Sequence, residues 1–307
     1  MSDKRSIGIY WLRRVTAVIA GCLTAAGICL AFPSTGVSAE TSDKTIEVWV
    51  NTPYVVQFGF GSYDIGGLTT SSYRIPLSHT INLGTEKDDW RLNLTGYLGY
   101  SHVDFKTELF GPRFSAETDY LFVLPQVELA IPIRKGWTVK PYLAAGVGWY
   151  CNGSIEFEGK KELTKDSYGF LYAAGIGNLF EFQIQKTHVS FGSKFGWAEE
   201  ISLDSPGTMG FATLQNGVEI MHPLGIYING REFNMAESFT YYYFFPAARF
   251  SVPNEPPHKV YDQFEFGVNF GFVEPIKVWI LENPRIGASY RFGDGMTGFR
   301  LNLGFPF

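Results

Sequence analysis

The sequence predicts an all-β protein: one closed, antiparallel transmembrane β-barrel, an up-and-down meander of about twelve strands. Three observations lead there. Segments of about ten residues repeat in which every second side chain is apolar, separated by Gly, Asp, Asn, Pro and Lys. Aromatic residues make up 17% and charged residues only 18%, below the roughly 25% charge of soluble domains. Mean hydropathy is nonetheless -0.01, so apolar residues are interleaved with polar ones and not gathered in runs. The third observation is the last ten residues, GFRLNLGFPF, which hold an apolar side chain at every second position where a soluble domain frays into polar residues.

Residues 1–39 read as a cleaved secretory signal. MSDKRSIGIYWLRR is the basic start, VTAVIAGCLTAAGICLAF the apolar core, and Val37-Ser38-Ala39 a small-residue cleavage pattern before Glu40. An uncleaved anchor is the rival, disfavoured by Pro33 and the small residues that follow the apolar core. Ile19-Ala20-Gly21-Cys22 also matches a lipoprotein box, but ten further apolar residues follow it where such a box closes its apolar core. Cleavage removes Cys22 and Cys29 and leaves Cys151 alone, so no internal disulfide is expected. Neither CxxC nor a His/Cys cluster suggests a metal or other cofactor. With an isoelectric point near 5.6 and no basic run after the N-terminus, nucleic-acid binding is excluded.

Residues 40–307 form a single predicted domain, since twelve strands with their connections take roughly 22 residues each and leave no room for a second; no run of 18 apolar residues remains after Ala39 to form a transmembrane helix. The strands are expected near 46–60, 70–82, 88–103, 118–133, 136–150, 166–180, 186–198, 209–222, 231–245, 260–273, 276–292 and 297–307. Asn283-Pro284 is a break signal inside the eleventh. In the tenth, Phe264, Phe266, Val268, Phe270 and Phe272 share one face, and Gln263, Glu265, Gly267, Asn269 and Gly271 the other. Trp137, Val139, Leu143, Ala145, Val147 and Trp149 oppose Thr138, Lys140, Tyr142, Gly146 and Gly148 in the same way. A soluble sandwich turns such an apolar face inward, whereas a membrane barrel turns it out. The choice falls on the membrane barrel: Trp90, Tyr100, Trp137, Trp149 and Trp197 sit near strand ends like interface girdles, and the opposite face is rich in Gly. Tyr241 to Phe245 reads as a strand end crossing such a girdle, with Tyr242 inward.

The final strand carries Phe299, Leu301, Leu303, Phe305 and Phe307 on one face, with Arg300, Asn302 and Gly304 between them. This alternation ending in Phe matches the signal that outer-membrane barrels present to the bacterial barrel-assembly machinery. Recognition there is strand addition to an open edge, with pockets for alternate side chains. Pro306 removes one N–H from that ladder. Residues 284–307, PRIGASYRFGDGMTGFRLNLGFPF, resemble the last hairpin of autotransporter translocator barrels. Only Glu40 to Lys44 precede the first predicted strand, with no passenger and no helix-forming segment, so the chain most resembles the solitary outer-membrane autotransporter-like β-barrel family. The resemblance implies a Gram-negative outer membrane, lipid as the surrounding partner, and no catalytic residues.

Face assignment puts the basic residues Arg91, Lys140, Lys194, Arg285, Arg291 and Arg300 in the lumen with the acidic Glu128, Glu219 and Glu265. Ion pairs bracing the wall are one reading, because lone buried charges are costly. A narrow, mildly anion-preferring pore for small solutes is the other. A barrel of about eight strands is filled by side chains and one of 16–18 is open, so twelve leaves both available. A third function class is a closed barrel acting through its surface loops. The one enzymatic candidate is His188-Val189-Ser190, similar to the His-x-Ser of barrel-wall phospholipases and lipid deacylases, with His188 placed to activate Ser190. Val189, Phe191, Phe195 and Trp197 form the apolar face of that strand, which turns His188 and Ser190 to the lumen, away from lipid. The expectation is therefore no enzyme.

Overall fold

A computed structural model provides the coordinates. It describes residues 59–307 except Gly67, 85–88, 108–113, 158–159, 205–207, 251–257, Pro275, 279–280, 283–284, Leu303 and Phe305. The described elements are β1 (Phe60–Ile65), β2 (Leu68–Asn82), β3 (Arg91–Thr107), β4 (Phe114–Arg134), β5 (Trp137–Phe157), β6 (Lys160–Leu163), β7 (Ser167–Ile184) and β8 (Thr187–Ser202). They continue as β9 (Thr208–Ile228), β10 (Arg231–Phe250), β11 (His258–Phe272), β12 (Lys277–Val278), β13 (Leu281–Glu282), β14 (Ile286–Gly293) and β15 (Met296–Asn302). Among the described residues no helix is long and apolar enough to cross a membrane, which says nothing of a β-barrel.

Twelve of these strands form the wall, each antiparallel to its neighbours in chain order. The ring closes where β1 meets β15, from Phe60 opposite Leu301 to Ile65 opposite Met296. Short β6 extends β5 beyond the wall, and β12 with β13 makes a separate small hairpin. At one end of the barrel the connections at 135–136, 185–186 and 229–230 are two-residue turns, where Gln185 and Asn229 take positive φ. That is the geometry tight hairpins with right-handed strand twist require. The same end carries the connections at 83–90 and 273–285, and the other end those at 66–67, 108–113, 203–207, 251–257 and 294–295.

Three boundaries differ from the sequence expectation. The expected first strand, 46–60, lies outside the described residues except at its end, and the first described wall strand is Phe60–Ile65. Its alternation is inverted: Tyr63 and Ile65 are the buried, inward residues, so the wall pattern is not readable there. The expected eleventh strand is divided, with Lys277–Val278 and Leu281–Glu282 apart from the wall and Ile286–Gly293 in it, while Asn283-Pro284 lie outside the described residues. The expected last strand stops at Asn302 and does not run to Phe307. Gly304 takes φ +132, a conformation that turns the chain out of the ladder, and Pro306 has no N–H to offer it.

Elsewhere the period-two pattern is realised with the apolar face outward, and the inward face mixes small, polar and aromatic or aliphatic residues. Val147 (55% exposed), Phe266 (51%) and Phe299 (69%) all project outward, an exterior that belongs in hydrocarbon. Trp149 stacks on Tyr168 at 6.3 Å and Tyr73 on Tyr100 at 6.1 Å toward the loop end, and Trp137 on Phe180 at 5.4 Å near the tight turns. Inward glycines are roofed by inward aromatic rings of neighbouring strands. A Cβ on Gly99 would lie 2.1 Å from the Phe122 ring, and one on Gly148 2.0 Å from the Tyr120 hydroxyl. One on Gly196 would lie 2.1 Å from the Tyr142 hydroxyl. The Gly-rich face is thus the half of a packing scheme whose other half is Tyr and Phe.

Gly99→Val is therefore expected to destabilise the barrel by about 1–3 kcal/mol, the usual cost of overpacking a filled site. The urea midpoint of heat-modifiable gel mobility measures it; an unchanged midpoint would mean that Phe122 swings away at no cost.

Candidate functional site in the lumen

Parity along the strands builds a charged belt at mid-height of the barrel. Ser289 and Arg291 alternate inward on β14, Arg300 and Asn302 on β15, Gln263 and Glu265 on β11, and Tyr242 on β10. Register then brings them together, with Glu265 directly opposite Arg291. Arg300 Nε lies 3.1 Å from Glu265 Oε1, and the Tyr242 hydroxyl donates to Glu265 Oε2 at 2.9 Å. The Arg291 guanidinium stacks 3.9 Å from the Tyr242 ring centroid. Arg74, from β2, covers Tyr97 at 4.9 Å. Glu265 and Arg291 are both almost completely buried. Toward the loop end, Tyr63, Ile65, Phe211, Tyr242, Phe244, Val260 and Met296 make an apolar cluster inside the wall.

Nearer the tight turns, Glu128, Lys140, Lys194, Pro306 and Phe307 border a small recess of about 20 Å³. Lys194 Nζ sits 4.2 Å above the Tyr142 ring. Glu128 accepts from Asn93 Nδ2 at 3.0 Å, and Glu219 pairs with Arg285 at 2.8 Å. Arg91 stands apart from these residues. It is the first residue of β3, at the rim, half exposed and 4.0 Å from Asp89. Parity gave its side of the wall but not its height.

His188 and Ser190 do lie side by side on β8. Ser190 Oγ is 3.4 Å from His188 Nδ1, and His188 Nε2 is 3.9 Å from Glu181 Oε1 on β7. Sequence reasoning missed Glu181, because only register places it opposite Ser190. Both distances exceed those of working hydrogen bonds. Ser190 is buried and shares its inward face with Gly192 and Lys194, so lipid has no approach to the hydroxyl. No group of three or more metal-ligating side chains occurs among the described residues.

The residues expected to carry the assembly signal divide between the two faces. Phe299 and Leu301 point outward and are well exposed. Leu303 and Phe305 lie outside the described residues. Phe307 points inward, its ring against Gly192 and Gly217, where added Cβ atoms would lie 2.0 and 2.6 Å from it.

A twelve-stranded closed barrel with long strands and an apolar exterior has counterparts among solved structures. The chain has the fold of an autotransporter translocator barrel. The translocator domain of autotransporter NalP from Neisseria meningitidis matches with TM-score 0.57 at 12% identity, over 80% of this chain and 85% of that one. The transport unit of the autotransporter AIDA-I from Escherichia coli matches with TM-score 0.54 at 13% identity, over 92% and 97%. The beta domain of the Bordetella autotransporter BrkA matches with TM-score 0.50 at 14% identity, over 79% and 91%. No protein-family model matches the sequence, and no curated protein matches it.

The mid-height pair sets a stability test. Glu265→Leu alone is expected to cost about 3–5 kcal/mol, because it leaves the buried Arg300 guanidinium without its carboxylate. Adding Arg300→Met to the same chain should recover part of that loss in urea unfolding. Equal losses for the single and double variants would show that the pair does not brace the wall.

Proposed function

We propose that the chain is an integral outer-membrane β-barrel, exported through a cleaved signal over residues 1–39, whose lumen passes small solutes with a mild preference for anions. The end with the two-residue turns at 135–136, 185–186 and 229–230 faces the periplasm and the end with 108–113, 203–207 and 251–257 faces outward, as in bacterial outer-membrane barrels. The observation that carries the reading is the inward charge of the wall's middle and lower half. Arg74, Lys140, Lys194, Arg285, Arg291 and Arg300 face Glu128, Glu219 and Glu265 there among the described residues. Rings of such side chains set selectivity in narrow pores. Support also comes from the solved barrels of the same fold, two of which are named as a translocator domain and a transport unit. Insertion through the barrel-assembly machinery, using the alternation that ends at Phe307, belongs to the same proposal, as does the absence of an enzymatic role for His188 and Ser190. The Arg300–Glu265 pair favours one second reading, a closed barrel acting through its loops.

Planar-bilayer recording separates the two. The chain is expressed from its full sequence in a diderm bacterium, extracted in detergent, and compared with the Lys140→Gln, Lys194→Gln double variant. Stable channels whose anion-to-cation permeability ratio falls toward unity in the double variant are the expected result, read from reversal potentials in a KCl gradient. Silence from protein that is folded by heat-modifiable mobility would sink the pore and leave the loop reading standing.

A further inference from the structure

We infer that the outer face of β7 to β10 seats a second copy of this chain, side by side with the first in the membrane. Alternation turns Asn178 of β7, Ser193 of β8 and Asn216 of β9 outward, with Ile176 and Phe180, and Phe191 and Phe195, as exposed outward neighbours. The three stand in direct register, Asn178 opposite Ser193 and Ser193 opposite Asn216, so they make one polar row across adjacent strands. Glu237 of β10 also faces outward, on the tight-turn side of that row. Its cross-strand neighbours, Ile220 and Val268, and its neighbours along the strand on the same face, Met235 and Phe239, are all apolar.

These groups lie inside the apolar band and not at its margins. Along β8, Val189 and Phe191 continue the outward face toward the tight turns, and Phe195 and Trp197 toward the loops. Along β10, Phe233 and Met235 flank Glu237 on one side, and Phe239 and Tyr241 on the other. The wall across the barrel has no such row: the outward residues in the middle of β3 to β5 include Leu94, Leu98, Val123, Val127, Leu143 and Val147. Hydrocarbon offers a polar side chain neither donor nor acceptor. Asn178 accepts from Trp137 Nε1 at 3.4 Å, while the side chains of Ser193, Asn216 and Glu237 make no hydrogen bond or ion pair among the described residues. A carboxylate at membrane depth is retained where something pairs with it. Neither lipid tails nor this wall supply that partner, so it approaches from outside.

The strip contains its own complement. An Asn amide donates and accepts at once, so Asn216 of one copy satisfies Asn216 of the other. The donors Asn178 and Ser193 lie on one side of Asn216, and the acceptor Glu237 on the other. Asn178 stands nearer its tight turn at 185–186 than Tyr241, opposite Asn216, does to the turn at 229–230, so the row climbs from β7 to β10. Glu237, set toward the tight turns, drops back to the height of the row's lower end. A two-fold axis beside Asn216 therefore carries the donors of each copy over the acceptor of the other, as a self-complementary interface requires.

This inference rests on the wall standing in a bilayer, and not on the lumen conducting. The full chain with Cys151→Ser is expressed in a diderm bacterium, alone or with Asn216→Cys, Ser193→Cys or Leu98→Cys, and outer membranes are oxidised with copper phenanthroline. Leu98 is the control, since β3 stands opposite β10 in the ring of twelve. A band of twice the chain's mass, holding this chain alone, is expected from Asn216→Cys or Ser193→Cys at several-fold the yield from Leu98→Cys. In mild detergent the parent is expected to sediment as a dimer. The Asn216→Leu, Glu237→Leu double variant should sediment as a monomer and keep its heat-modifiable mobility. Bands no stronger than the control, a monomeric parent, or a dimer that the double variant leaves intact would overturn the self-contact. A band holding a different polypeptide gives the face to that protein and overturns it as well. Protein released from cells without detergent would overturn the bilayer reading itself, whatever the bands show.

Discussion

The barrel depends on a seam of six residue pairs. β1 and β15, at opposite ends of the described chain, close the ring from Phe60 opposite Leu301 to Ile65 opposite Met296. Inside hydrocarbon no water accepts or donates a hydrogen bond, so an open wall would leave two rows of unpaired backbone groups at several kcal/mol each. All other wall pairs join strands that are neighbours in sequence and form as hairpins. The seam alone requires the whole meander to be present, so its formation carries the largest loop-closure entropy and comes last.

Closure fixes what each face must hold. With the outer face committed to Phe, Leu, Val and Ile, the inner face has to fill a curved volume and satisfy whatever polar groups it keeps. It does so in two ways. Toward the loop end, inward aromatic and aliphatic side chains such as Tyr63, Phe211 and Phe244 pack on one another. At mid-height the charges are matched in kind: Glu265 has Arg300 on one oxygen and the Tyr242 hydroxyl on the other, while Arg291 is stacked on the same tyrosine. One tyrosine therefore serves as hydrogen-bond donor, π-face and apolar cluster member, so the mid-height belt and the loop-end core are parts of one packed unit.

How much of this was legible in the sequence follows from what period two encodes. It gives the face of a side chain wherever a strand is regular, which is why Phe266, Val147 and Trp149 were assigned outward and Tyr242, Lys194 and Glu265 inward. The strand count follows from the same signal. Height and partner are not encoded: Arg91 has the right parity but starts its strand at the rim, and Glu181 meets Ser190 only through the β7–β8 register. β1 was hidden because its apolar residues face the lumen, inverting the pattern. The last strand misled in the opposite way. Its alternation continues to Phe307, but alternation states a preference of side chains and not of the backbone, and Gly304 and Pro306 decide the backbone.

Twelve strands do not by themselves determine whether a bore is open. The radius of the wall is set by strand number and tilt, and the clear width is whatever the inward side chains leave. In this chain that choice differs along the axis. The loop-end half is given Tyr, Phe, Ile and Met, which pack on one another along the β9–β11, β15 and β1 side of the wall. The tight-turn half is given Gly192 and Gly217 beside Lys140 and Lys194, small and charged residues that do not close on one another. Such a half-lumen needs something to occupy it, water and ions or a piece of the chain. The ring of Phe307 lying on the two glycines occupies part of that volume, and the lysines border the part that remains. The clear width of that half is thus what Gly192, Gly217, Lys140, Lys194 and the ring of Phe307 leave between them.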